Sequence, residues 1–404
     1  MIKNIRYLFV GLICFLILLS IGCASTQDAG SKNTGQFRNV TDSRGVTVKV
    51  PVEINRVVTI SDGLVEEVMT VLGEQNKIVG LGSACIARDW SYTYDSVSGG
   101  QFIYTNGKHV AYYLNPKLKE LPVIADDIVN YEGIASLKPD VVIMRVGDCT
   151  IWTNNVKDEI VTKTITTIEA SGIPLIVLYS PNCYETPDMK KLSDEILIIG
   201  SVFGKEEKAR NLSNFIEAQV NAISERTKNI PEDQRTEVLI FGLSPSARKQ
   251  GGAGVVFGTD TLESFFIEKL ANAKNAYQDK GYFKTLSTEQ ILALNPDTIV
   301  LATAAGYHPP KELYEAPYYQ NLKSLDAIKN KRVTAFPWTP CNCAKRLEYP
   351  IDVMIIAMTA YPDKFSDIDL ENWLISFYQG VYGVDKESSN AILSAQWMDW
   401  VKEK

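Results

Sequence analysis

The chain of 404 residues contains only two histidines, His109 and His308, which disfavours a zinc or manganese centre built mainly on imidazole. It has no Cys-x-x-Cys pair of the kind a thiol oxidoreductase presents at a helix start. Gly-x-Ser-x-Gly and His-Glu-x-x-His are also missing, so the usual signatures of serine hydrolases and zinc proteases are absent. Gly251-Gly252-Ala253-Gly254 lacks the Lys-Ser/Thr ending of a phosphate-binding loop, and no nucleotide is assigned to it. Basic charge is lacking as well: the net charge of -7 leaves no reason to expect a nucleic-acid partner, because phosphates need a cationic face.

With 45% hydrophobic and 22% charged residues, the chain can bury a substantial core, and its length suits two lobes. Lys3 and Arg6 precede an apolar run from Tyr7 to Ile21. That run suits a signal-peptide core but is short of the ~20 residues a spanning helix needs. Ser20-Ile21-Gly22-Cys23 resembles a bacterial lipobox, which makes 1–22 a lipoprotein signal peptide and Cys23 the lipidated residue that anchors the protein outside the cell membrane. Residues 23–39 read as a flexible tether rich in small polar residues. Strand-like runs then alternate with helical patterns. Arg56 to Ile60, Lys77 to Leu81, Asp140 to Met144 and Pro174 to Tyr179 are expected strands, and Leu64 to Leu72 an expected helix. A long amphipathic stretch from about Lys190 to Lys228 follows, and the rhythm resumes with Glu237 to Phe241, Thr298 to Ala302 and Arg332 to Phe336. The expectation is an α/β protein with an N-terminal lobe over 40–187, a connecting helical segment over 188–230 and a C-terminal lobe over 231–404.

Asp42-Ser43-Arg44-Gly45, Val50-Pro51, Arg56-Val57-Val58, Glu67 to Gly73 and Ile78-Val79-Gly80 together resemble the opening of the iron-chelate and cobalamin substrate-binding proteins of ABC importers. Ile134 to Ile143 and Leu286 to Asp297 are each similar to the helix, Leu-Lys-Pro-Asp, strand signature that marks each lobe of that family. The resemblance covers about 40–340. It implies two Rossmann-like lobes joined by a long helix, a ligand cleft between them, a monomer, and an ABC permease dimer as partner. It also implies that one glutamate on each lobe docks to permease arginines, and Glu132 and Glu289 stand at the matching positions. The alternative for both is a solvated glutamate favoured by a helix N-terminus.

Cys14 lies in the signal segment, leaving Cys85, Cys149, Cys183, Cys341 and Cys343 in the folded part. Each follows an expected strand, and ligands of open α/β sheets sit at the loops leaving the carboxyl ends of strands. All five are therefore expected toward the cleft. Disulfides and buried thiols are the alternatives, although five is an odd number and Cys341 and Cys343 are too close in sequence for an unstrained bond. Thiolates favour iron–sulfur clusters or soft metals, so the expected cargo is an iron-containing ligand: an iron–sulfur cluster or thiolate-held iron, or else a siderophore, haem or cobalamin without thiolate ligation. Arg145, Arg248, Lys249, Lys345 and Arg346 occupy the same class of loops and are expected to offset an anionic ligand. Trp338, with the aromatic residues Trp90, Tyr92, Tyr94, Tyr104, Tyr112 and Tyr113, offers a wall for a planar ligand, unless these rings simply pack. An electron-transfer protein with a permanent cluster would carry the same cysteines. Enzymatic activity is not expected.

Overall fold

The computed structural model describes residues 35–403, apart from 127, 152, 243–247, 250, 251, 303–308 and 341–343. Cys23, Cys341 and Cys343 thus lie outside the described residues, as does the segment 1–22. Two sheets organise the rest. The first has four parallel strands in the order Leu175–Tyr179, Val141–Val146, Val57–Ile60, Ile78–Gly80. Val141–Val146 is buried at every position, as a central parallel strand covered on both faces must be. The second sheet centres on Glu237–Gly242, which pairs in parallel with Thr298–Ala302, itself parallel to Val333–Ala335. On its other side Glu237–Gly242 pairs antiparallel with Gly254–Val256, which continues to Lys284–Leu286. This is a two-lobed α/β architecture. Phe37–Lys404 nevertheless forms one compact unit.

The connection between the sheets is helical. Lys190–Phe203 is followed by the 22-residue helix Glu206–Thr227. They meet at Gly204, whose φ of 64° caps the first helix in the left-handed region that glycine enters without penalty. Helix Tyr349–Ala360 is buried at nearly every position and packs against both Glu206–Thr227 and strand Thr298–Ala302. Its apolar sequence has no polar face because it has no solvent face. The last helices, Leu370–Tyr382 and Lys386–Ala395, return to Leu64–Leu72 and Val110–Leu114 of the first lobe. Among the described residues no helix is long and apolar enough to cross a membrane.

A hairpin, Trp90–Asp95 with Gln101–Gly107, leaves the first lobe and packs on the second. Residues of alternate parity share one face of a strand, and here that face carries Tyr92, Tyr94, Phe102 and Tyr104. They join a core cluster with Leu239, Phe241, Leu313 and Tyr319. The hairpin backbone is also tied across: Val97 N–H donates to Glu315 O at 2.9 Å and Lys108 N–H to Ala395 O at 3.0 Å. Trp338 is 4% exposed and packs between Trp90, which meets it edge-on, and the tilted ring of Trp397, with ring centroids at 5.7 and 4.4 Å. These rings are packing residues that strap the lobes together, and burial of each is worth about 1.5–3 kcal/mol.

Candidate functional site

The loops leaving the carboxyl ends of the first-lobe strands face a short second-lobe segment across an open cleft of ≈ 540 Å³. From the first lobe, Asp148 and Asn154 follow Val141–Val146, while Asn182 and Tyr184 follow Leu175–Tyr179. From the second lobe come Asp260, Thr261 and Tyr282. Gly147 turns the chain at the cleft floor with φ 84°. A Cβ there would lie 2.4 Å from Ser180 Oγ and 2.6 Å from Cys183 Sγ, so both space and backbone demand glycine. Sequence reasoning missed Asn154, Tyr184, Asp260 and Tyr282. The rule that pointed to the cysteines, position after a strand, applies to Asn154 and Tyr184 equally.

Beneath the cleft lies a layer of buried charge joining both lobes. Arg145, 0% exposed, donates from Nε and Nη2 to Glu195 Oε1 and Oε2 at 2.7 and 2.9 Å, and from Nη2 to Lys345 O at 3.0 Å. Burial opposes its charge, but Glu195 outweighs that and holds its pKa above the ordinary value. Arg346 donates to Asp62 O and to Pro340 O, each at 2.8 Å, and touches His109 Nε2. Lys345 pairs with Asp352 at 3.0 Å and Glu263 at 3.3 Å. Arg145 and Arg346, expected to meet a ligand, are interior groups: Arg145 is paired with Glu195 while its Nη1 has no hydrogen-bond partner among the described residues, and Arg346 is held by two backbone carbonyls.

The same layer holds protons in unusual places. Burial, then the neighbouring Asp62, pushes Asp148 well above the usual carboxylate range, and Asp62 is raised mainly by burial. Asp62 N–H donates to Asp148 Oδ2 at 3.0 Å, and Cys149 N–H to Asp62 Oδ2 at 3.3 Å. Burial, then Glu348, raises Glu67. His109 is driven well below 6.5 by burial and then by Arg346, so the imidazole that touches the guanidinium is neutral.

The cysteines divide. Cys85 and Cys149 are disulfide-bonded, whereas Cys183 is a free thiol that donates to Val146 O at 3.3 Å. Burial pushes the Cys183 thiol up to about 11, which keeps it protonated at neutral pH. The expected set of five thiolates is therefore not formed in this state: an oxidised sulfur has no thiolate to offer, and a buried thiol keeps its proton. Among the described residues no group of three or more His, Cys, Asp and Glu side chains is arranged to hold a metal ion.

Arg248 differs from the other predicted cations. It lies six residues beyond strand Glu237–Gly242 and is half-buried, while Lys249 is exposed. Its Nη1 donates to Tyr319 Oη at 2.9 Å, and its guanidinium lies 4.2 Å from the Tyr318 ring centre. Among the described residues no carboxylate pairs with it. Glu132 and Glu289 are both exposed in the first turns of their helices, Tyr131–Ser136 and Thr288–Leu294.

Two α/β lobes, a ligand-sized cleft at the strand ends and an interior charge layer define a two-lobed substrate-binding protein. Over residues 67–338 the chain matches the periplasmic binding protein family, and it belongs to that family. It is 25% identical over 376 residues to the molybdate-binding protein MolA of Haemophilus influenzae, covering 88% of this chain and 93% of that protein. It is 26% identical over 317 residues to the uncharacterized ABC transporter substrate-binding lipoprotein YvrC of Bacillus subtilis, covering 77% and 87%. A periplasmic solute binding protein from Veillonella parvula shares the fold with a TM-score of 0.66 at 22% identity, over 89% of this chain and 98% of that one. The chain is thus the substrate-binding component of an ABC transporter, a class of extracytoplasmic binding proteins rather than enzymes.

Proposed function

We propose that this protein captures an anionic, metal-containing small molecule in the interlobe cleft and delivers it to an ABC permease. The observation that carries the reading is Arg248, a half-buried guanidinium beyond a second-lobe strand with aromatic neighbours and, among the described residues, no carboxylate paired with it. A charge held this way is poised for a carboxylate or oxometal oxygen. MolA, by name, binds molybdate, an anion of this kind. A cleft of ≈ 540 Å³ has the size of small-molecule sites and favours a metal chelate, such as iron held by a carboxylate-rich carrier, over a bare ion. Titration of the soluble form lacking residues 1–23 with ferric citrate and with molybdate, followed by tryptophan fluorescence, tests this. Saturable binding that Arg248→Gln abolishes is expected; equal binding by the variant refutes it.

Thiolate-held iron is a second reading, favoured by Cys149 and Cys183 adjoining cleft-lining Asp148, Asn182 and Tyr184. It operates only after the disulfides at Cys85 and Cys149 are reduced. Anaerobic reduction followed by iron and sulfide should then give bound iron with acid-labile sulfide, lost in Cys149→Ser; no uptake rules it out. Glu132 and Glu289 serve as the two docking points for the permease, one per lobe, and Cys23 carries the lipid anchor of a monomer. Charge reversal at both glutamates should abolish transport while leaving ligand binding intact.

A further inference from the structure

We propose that Tyr282 is a specificity-determining residue of the cleft, whose ring seats a flat aromatic part of the cargo's carrier while the metal stays wrapped within that carrier. The inference rests on the reading of a metal chelate as cargo and adds what the chelator is built on. Tyr282 lines the cleft from the second lobe and Tyr184 lines it from the first. Tyr282 is 41% exposed and the adjacent Phe283 37%. Both rings meet the buried Phe257 edge-on, with centroids at 5.5 and 5.6 Å, and lie 4.8 Å from each other. Two neighbouring rings left open beside a cleft of small-molecule size differ from a single apolar side chain scattered on a surface.

The backbone shows that this presentation is imposed. Phe283 has a φ of 56°, a left-handed conformation that is rare for a bulky side chain. Such strain persists only where the surroundings hold it, and it collects at ligand sites. Here the holding bonds are visible. Gly258 N–H donates to Gly281 O at 2.8 Å, Thr259 N–H to Asp279 O at 3.0 Å and Gly281 N–H to Asp260 Oδ1 at 2.7 Å. Asp260 and Thr261 line the same cleft, so the bonds that fix the strained turn also fix the second-lobe wall. The chemistry of that wall suits a carrier more than a bare metal. Burial, then the charges of Glu263 and Asp62, raises the Tyr282 pKa above its ordinary value, and burial raises that of Tyr184. Both are neutral phenols at physiological pH, which stack and donate a hydrogen bond but offer no phenolate oxygen to a metal.

Calorimetric titration with two iron(III) complexes, one of 2,3-dihydroxybenzoate and one of citrate, tests the inference, because the first carrier is built on an aromatic ring and the second is not. Tyr282→Leu should weaken the aromatic complex by about tenfold and the citrate complex by less than about threefold. Tyr282→Phe keeps the ring, and its loss for the aromatic complex should stay under about threefold. A purely structural role for Tyr282 would shift both complexes together. Equal losses for the two complexes, no loss for the aromatic one, or a Tyr282→Phe loss as large as that of Tyr282→Leu overturns the inference. If the leucine variant fails to fold, Tyr282→Gln takes its place with the same expected outcomes. Arg248→Gln separates the two levels. Equal affinity in that variant, with the selective loss in Tyr282→Leu retained, refutes the reading of Arg248 and supports the Tyr282 seat; a wild type that binds neither complex overturns both.

Discussion

Replacing Glu195 by alanine should destabilise the protein far more than an ordinary surface substitution, because it strands a buried charge. The variant loses the bonds at 2.7 and 2.9 Å that Arg145 makes to this carboxylate. Arg145 keeps Lys345 O at 3.0 Å and faces Asp62 Oδ1 at 4.0 Å. Both groups of the broken pair are 0% exposed, so water cannot compensate. Breaking such a pair from one side costs about 3–5 kcal/mol, and the nearby Asp62 sets the expectation at the lower end. Urea unfolding of the soluble form, followed by far-UV circular dichroism, measures this as a lower midpoint with unchanged slope. Adding Arg145→Met removes the stranded charge, so the double variant should be more stable than Glu195→Ala alone. A loss under about 1 kcal/mol for Glu195→Ala, the range of exposed pairs, would refute the view that this layer is a sealed interior network.

Gly147→Ala should cost about 1–2 kcal/mol in the same urea assay, since a left-handed alanine is strained and its Cβ meets Ser180 and Cys183; stability equal to wild type would contradict the described cleft floor. Cys183, with its thiol raised to about 11 by burial, should react with iodoacetamide very slowly at pH 7 and about tenfold faster per pH unit up to that value; a rate already at plateau near neutrality would show a different environment. His109, depressed well below 6.5 by burial and Arg346, takes up a proton in the unfolded chain but not in the native one. Its contribution to stability is therefore complete above about pH 6.5 and lost as pH falls below it. The stability difference between wild type and His109→Asn should shrink from pH 7 to pH 5, and a constant difference would argue against a buried neutral imidazole.

Much of the fold was legible because its strands are short, buried and bounded by turns. Leu64–Leu72 and Thr298–Ala302 have the expected limits, and Val141–Val146 extends the expected Asp140 to Met144 run by two residues at its carboxyl end. That extension matters for the site. Arg145 was read as a loop cation but is the fifth residue of the six-residue strand, and its partner Glu195 lies 50 positions away, a separation that no local pattern reveals. The aromatic residues from Trp90 to Tyr104 were read as a wall for a planar ligand or as packing, and the hairpin Trp90–Asp95 with Gln101–Gly107 that carries them was not anticipated. Arg248 was singled out by its place after a strand; its tyrosine setting was not, because Tyr318 and Tyr319 arrive from a distant segment. Cys149 and Cys183 stand next in sequence to the cleft-lining residues Asp148, Asn182 and Tyr184, and position alone cannot distinguish a thiolate from an oxidised sulfur.

The most direct test of the proposed cargo site is an anomalous difference map, recorded at the iron edge, from crystals of the soluble form grown with ferric citrate. The account predicts one strong iron peak beside a citrate whose carboxylate meets the Arg248 guanidinium. Iron bound at any other place, or citrate bound with Arg248 untouched, would contradict it.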